Sequence, residues 1–126
     1  MKTTESQQMY LKAIYNIGKK KGTVRKIDIA EELNISKPSV TNGINRLIKD
    51  GLARTDANNS VFLTEEGRAK AEKIVKRYDA FVSMLRYMDM PNAEAEDAAC
   101  KLEHAIDDNT FAYITAWVRK KELSDR

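Results

Sequence analysis

From Ser6 to Lys19, Tyr10, Ala13, Ile14 and Ile17 recur at intervals of three and four, the spacing of one buried helix face, and a lysine run between Gly18 and Gly22 ends the helix. A shorter helix is expected over Lys26 to Leu33, with Ile27, Ala30 and Leu33 on one side, before Asn34-Ile35-Ser36 breaks the pattern. Ser36 suits an N-cap, and Pro38 falls in the first turn, where its missing N–H costs nothing. A third helix then follows, with Val40, Ile44, Leu47 and Ile48 as its buried stripe and Asp50-Gly51 as its stop. Two short extended runs, Leu52 to Thr55 and Ser60 to Leu63, flank the turn formers Asp56-Ala57-Asn58-Asn59 and predict a β-hairpin. Helix, helix, three-residue turn, helix and hairpin is the order of a winged helix-turn-helix.

Thr64-Glu65-Glu66 opens another helix, with a capping hydroxyl and two acids near its positive end. Its apolar stripe, Ala71, Ile74, Val75, Tyr78, Phe81, Val82, Leu85 and Met88, runs to about residue 88, long enough to lead into a second module. Met90-Pro91-Asn92 ends it, and Asn92 is expected to cap a helix through about Ile106. A last helix begins at Asp107 or Asp108 and carries Phe111, Ile114, Trp117 and Val118. The fold class is therefore mainly α: a winged helix-turn-helix over 1–70 and an all-helical domain over 71–126. Those four apolar residues offer more surface than so small a module covers alone, which predicts a dimer through the last two helices.

Charge adds an asymmetry. Up to Leu63 there are eleven Lys or Arg against six Asp or Glu, a balance of +5; the remainder has eleven against thirteen, or −2. One end of the chain thus suits a polyanion, although a solvated charged surface accounts for the count equally well. The single Cys excludes an internal disulfide. No apolar run approaches the roughly 18 residues of a membrane span, and MKTTESQQMY lacks the order of a signal peptide, so a cytoplasmic protein without membrane contact is expected.

Burial of Val40, Ile44, Leu47 and Ile48 turns Lys37, Ser39, Thr41, Asn42, Asn45, Arg46 and Lys49 outward. Asn pairs bidentately with adenine, Ser and Thr reach bases or phosphates, and Arg46 and Lys49 suit phosphate oxygens. The N-terminal residues, from Ser36, Lys37 and Pro38 onward, are those a helix entering a major groove presents. Lys26, Arg25 and Arg54 are placed to hold the DNA backbone, and Asn58 and Asn59 at the wing tip to reach the minor groove. Polar residues are also the rule on any exposed helix, and winged helices serve as protein-interaction modules too.

The only Cys and the only His lie in one stretch, Cys100-Lys101-Leu102-Glu103-His104. At i, i+3 and i+4, a thiolate, a carboxylate and an imidazole project from one helix face and suit a single metal ion. Alternatives are a core cysteine and a hydrogen-bonded histidine. Three donors on one helix leave a site incomplete, so another must come from elsewhere. No general base stands beside this cluster and no glycine-rich phosphate loop is present, which argues against a metal-dependent hydrolase.

The runs YLKAIYNI, DIAEELNISKPSVTNGINRLIKDGL, VFLTEEGRAKAEKIVKRY and CKLEHAI resemble, in order and spacing, the diphtheria toxin repressor or iron-dependent repressor family, which includes manganese transport regulators. The resemblance covers about residues 6–120 and implies a homodimeric, metal-activated repressor of palindromic operators, its second domain serving dimerisation and metal binding. Longer members carry a third, SH3-like domain, for which this sequence is too short. Carried over by position, the activating site falls on Met9, Cys100, Glu103 and His104. Manganese sensors resemble this chain but have carboxylates at Met9 and Cys100; sulfur donors disfavour Mn²⁺ and suit Fe²⁺, Co²⁺, Ni²⁺ or Zn²⁺, with Fe²⁺ preferred as the physiological signal. An ancillary site of iron-type relatives falls on Tyr78, Val82 and Glu96, of which only Glu96 suits a cation, so one ion per subunit is expected. Asn42 stands where the family often has Gln. The competing expectation is a winged-helix regulator that has lost metal control.

Overall fold

The computed structural model describes residues 4–125, in the order α1 (Glu5–Lys21), α2 (Lys26–Leu33), α3 (Lys37–Lys49), β1 (Ala53–Thr55), β2 (Val61–Leu63), α4 (Glu65–Tyr87), α5 (Asn92–Ala105) and α6 (Asp108–Ser124). Two compact units divide after Lys73, within α4.

In the first unit Leu11, Ile14, Ile29, Val40, Ile44, Leu47 and Val61 form the core, with Tyr10, Ile17, Val24 and Leu52 closing around them. The strands pair antiparallel in the register Ala53 to Leu63, Arg54 to Phe62 and Thr55 to Val61, and the Val61 N–H donates to the Val24 carbonyl at 2.8 Å. Two apolar residues expected inside are not. Ile27 is 42% exposed and Ile48 38%, because each lies at the margin of its helix's apolar stripe; on the short α2 it is Ile29, about 200° round the helix from Ile27, that is fully buried.

Helix ends follow local chemistry. Asn34, at φ 54°, closes α2: its N–H donates to Glu31 O at 3.3 Å while the Ile35 N–H donates to Ala30 O at 3.1 Å. Gly51 repeats this after α3, with Gly51 N–H to Ile48 O and Leu52 N–H to Leu47 O. Asp89 repeats it after α4 and ends that helix before the Met90-Pro91 stretch expected to do so. Ser36 and Asp107 cap α3 and α6 by accepting from the Ser39 and Thr110 N–H groups. Asn92, expected to cap α5, is instead its first residue; Pro91 holds the cap position and supplies no side-chain hydrogen bond.

Thr64 joins the two halves of the winged motif. Its hydroxyl donates to Gly51 O at 2.7 Å and accepts from Gly67 N–H at 3.1 Å, so one side chain caps α4 and ties it to the end of α3. Gly67 meets the Leu52 carbonyl so closely that a Cβ there would collide with backbone. The Thr and Gly of Leu63-Thr64-Glu65-Glu66-Gly67 therefore have separate physical reasons.

In the second unit Phe81, Leu85, Ala95, Ala99 and Val118 are buried. The Phe81 and Phe111 rings lie 5.9 Å apart, Arg77 sits over the Phe111 ring at 5.1 Å, and its guanidinium donates to Ile106 O at 2.6 Å and pairs with Asp108. Of the four residues expected to form the stripe of α6, only Val118 is buried; Trp117 meets Tyr87 edge to face yet stays 39% exposed. Met88, the expected end of the α4 stripe, is exposed.

Candidate DNA-reading face and metal centre

Lys37, Pro38, Ser39, Asn42, Asn45, Arg46 and Lys49 are exposed along α3, and Thr41 is half-buried. Ser36 is exposed but engaged: its Oγ accepts from the Ser39 N–H and donates to Ser39 Oγ at 2.9 Å, which holds the first turn in shape. Lys26 is half-buried at the start of α2, next to exposed Arg25, and Arg54 is exposed on β1. The wing tip is built by Asp56, whose Oδ1 accepts from both Asn58 N–H and Ser60 N–H at 2.9 Å. Asn59 takes a left-handed φ of 61°, which asparagine tolerates better than most residues, and both asparagines are exposed.

The pose of α3 depends on two residues of α1: Tyr10, which the sequence pattern placed only in the buried stripe, and Gln7, to which it assigned no role. The Tyr10 hydroxyl donates to Ser39 O at 3.0 Å, its ring lying against Gly43 where a side chain would stand. Gln7 is buried, and its amide serves two helices: Oε1 accepts from Thr4 N–H at 3.2 Å, and Nε2 donates to Asp50 Oδ2 at 2.5 Å at the end of α3. The Thr4…Gln7 spacing of a capping box was visible in the sequence; its link to Asp50 had no local signal.

Each metal-ligand candidate has a defined place. Met9 lies on α1 between Gln7 and Tyr10, 41% exposed. Cys100, Glu103 and His104 lie on the second half of α5. Cys100 is exposed, whereas the Glu103 carboxylate is buried with Oε1 3.3 Å from His104 Nε2. Two donors bound about 2.1 Å from one ion at near-tetrahedral angles stand roughly that far apart, so this pair has the span of two ligands on one ion. The expected convergence of all three is not present: among the described residues no three His, Cys, Asp or Glu side chains are gathered closely enough to hold an ion. Glu103 and His104 are drawn inward while Cys100 points to solvent, so the donor chemistry fits a soft-to-borderline dication and the arrangement is paired, not closed.

Of the ancillary positions, Tyr78 and Val82 are half-buried and Glu96 exposed. The phenol of Tyr78 is raised above its ordinary pKa, first by burial and then by the field of Glu96, Cys100, Glu103 and Asp79.

Residues 2–61 match the N-terminal DNA-binding domain of the iron-dependent repressors, and residues 64–123 match the metal-binding and dimerisation domain of the same proteins. The chain belongs to the iron-dependent repressor family. This family is one of transcriptional repressors, not enzymes. The repressor-family chain is 30% identical over 106 residues to the iron-dependent repressor IdeR of Mycobacterium tuberculosis, covering 83% of this chain and 46% of IdeR. It is 29% identical over 123 residues to the regulator MntR of Bacillus pumilus, covering 98% of this chain and 85% of MntR. It superposes on the crystal structure of T. acidophilum IdeR with a TM-score of 0.74 at 26% identity, covering 90% of this chain and 53% of that one. The chain thus spans about half the length of the IdeR proteins it matches. A relative named for iron and a solved structure of a manganese-dependent transcriptional repressor both match, so membership establishes a metal-dependent repressor family and leaves the ion to the donor set. Among the described residues no helix is long and apolar enough to cross a membrane.

Proposed function

We propose that the chain is a cytoplasmic, Fe²⁺-activated transcriptional repressor that binds palindromic operator DNA as a homodimer, with one ion per subunit. The observation that carries the reading is the Glu103 and His104 pair at 3.3 Å, one helical turn from Cys100, in a chain whose other unit presents the polar face of α3. Met9 supplies the fourth donor. When bound, the ion supplies a coordination shell that holds these four side chains together. Thiolate and thioether favour Fe²⁺, Co²⁺, Ni²⁺ or Zn²⁺ over Mn²⁺. Tyr78 and Val82 offer no second set of ligands.

Lys26, Lys37 and Arg46 take phosphates, Ser39, Thr41 and Asn42 face base edges from the N-terminal part of α3, and Asn58 and Asn59 reach the minor groove. A link between Met9 and the α5 donors would restrict the spacing of the two α3 helices in a dimer. Only a spacing near one or more turns of DNA, about 34–36 Å each, seats both. A preference of a few kcal/mol for that arrangement gives an effective switch.

Anaerobic titration of Fe²⁺ or Co²⁺ against a palindromic promoter fragment tests this. Affinity should rise at least about tenfold with the ion, a change of ~1.4 kcal/mol. Affinity indifferent to any of Fe²⁺, Co²⁺, Zn²⁺ and Mn²⁺ leaves a winged-helix regulator without metal control.

A further inference from the structure

We infer that Gln7 and Tyr10 are positioning residues for DNA reading, which clamp α3 to α1 at both of its ends. The inference rests on the reading of α3 as the DNA-facing helix. Tyr10 grips the first turn: its hydroxyl donates to the carbonyl of Ser39, and its ring fills the place of a side chain at Gly43. Gln7 grips the other end: its Nε2 donates to Asp50, the residue that caps α3. Between these grips run half-buried Thr41 and the exposed polar residues Asn42, Asn45 and Arg46. A helix held only by its apolar stripe can slide and roll by fractions of a turn, because packing is non-directional. Two directional hydrogen bonds, to residues 29 and 43 positions distant in the chain, oppose both motions.

The Gln7 amide has a defined orientation, since only one assignment lets its oxygen accept from the Thr4 N–H while its nitrogen donates to the Asp50 carboxylate. The same residue thus completes the N-terminal cap of α1 and fixes the C-terminal end of α3. Met9 lies between the two grips on the same helix, so any restraint applied there is passed to the DNA-facing helix at two points.

The test separates the tie from the cap. Gln7→Glu keeps the capping box, which accepts either residue, but sets a carboxylate against that of Asp50. Asp50→Asn added to it restores a donor facing an acceptor. Tyr10→Phe keeps the ring on Gly43 and removes the hydroxyl. Each protein, saturated with Co²⁺, is measured on the duplex that the wild type enriches from a randomised pool and on poly(dI-dC), with its thermal midpoint recorded alongside. Gln7→Glu and Tyr10→Phe should each lower the ratio of specific to nonspecific affinity about three- to tenfold, the worth of one hydrogen bond, with nonspecific affinity unchanged. The double variant should recover most of the loss. A ratio unaffected by either single variant, or a loss that Asp50→Asn does not recover, overturns the inference. A wild type that enriches no duplex overturns the reading beneath it as well.

Discussion

The aromatic ring of Tyr10 occupies the space where Gly43, in the middle of α3, would carry a side chain. Glycine inside a helix costs about 1 kcal/mol relative to alanine, so its presence here needs a compensating contact, and the Tyr10 ring with its bond to Ser39 provides it. Gly43→Ala should therefore destabilise despite the better helix former: displacing the ring costs ~1–3 kcal/mol against about 1 kcal/mol gained. Urea unfolding monitored by circular dichroism reads the balance, and a higher midpoint for Gly43→Ala contradicts the account.

Thr64 and Gly67 should separate in the same measurement. Thr64→Ala removes the cap of α4 and its bond to Gly51, a loss of about 1–2 kcal/mol. Gly67→Ala drives a methyl into the Leu52 carbonyl, which as backbone yields little, and should exceed Gly43→Ala in cost, toward the upper end of ~1–3 kcal/mol. Equal effects at Gly43 and Gly67 would show that both neighbours move aside with the same ease.

Acid should loosen two particular junctions. The Asp107 carboxyl is held below its ordinary pKa by the Thr110 backbone N–H and then by the Thr110 side chain. Asp28 is lowered first by its hydrogen bond from Lys21 and then by the Arg25 backbone N–H. A depressed carboxylate contributes its full stability above the unfolded pKa, about 3.9, and loses it as pH falls through the lower folded value. The first turn of α6 and the α1–α2 junction should thus weaken below roughly pH 4. Asp107→Asn caps without titrating and should flatten its share of that slope. The Thr110 amide resonance follows it directly; a resonance that does not move through this range in the wild type counts against the prediction.

The donor set has a spectroscopic signature independent of DNA. With Co²⁺ bound, the Cys100 thiolate should give a sulfur-to-metal charge-transfer band that Cys100→Ser abolishes. His104→Ala should weaken Co²⁺ binding at least about tenfold, since losing even an outer partner of a metal ligand costs roughly 10- to 100-fold. A band that survives Cys100→Ser places the metal elsewhere.

Tyr113 and Trp117, four residues apart, leave apolar rings exposed on one face of α6, in the unit that matches the family's dimerisation domain. Trp117→Ala removes the edge contact with Tyr87 and should raise the dimer dissociation constant about tenfold or more, read by sedimentation equilibrium. An unchanged constant puts the dimer contact on another face.

Local chemistry made much of this protein legible from its residues. Ser36 and Pro38 start α3, Asn34 and Gly51 close their helices, and the polar face from Lys37 to Lys49 is exposed, because caps and helical periodicity act within four or five residues. The spacing of Cys100, Glu103 and His104 was legible for the same reason. What tertiary structure alone decided is which margin of a stripe gets covered and which distant polar atoms meet. Ile29 is buried and Ile27 exposed, Gln7 reaches Asp50, and Glu103 turns inward beside His104 while Cys100 stays at the surface. A helical period narrows the buried side of a helix to an arc, but the neighbour that packs against it, brought from far along the chain, determines where that arc begins and ends.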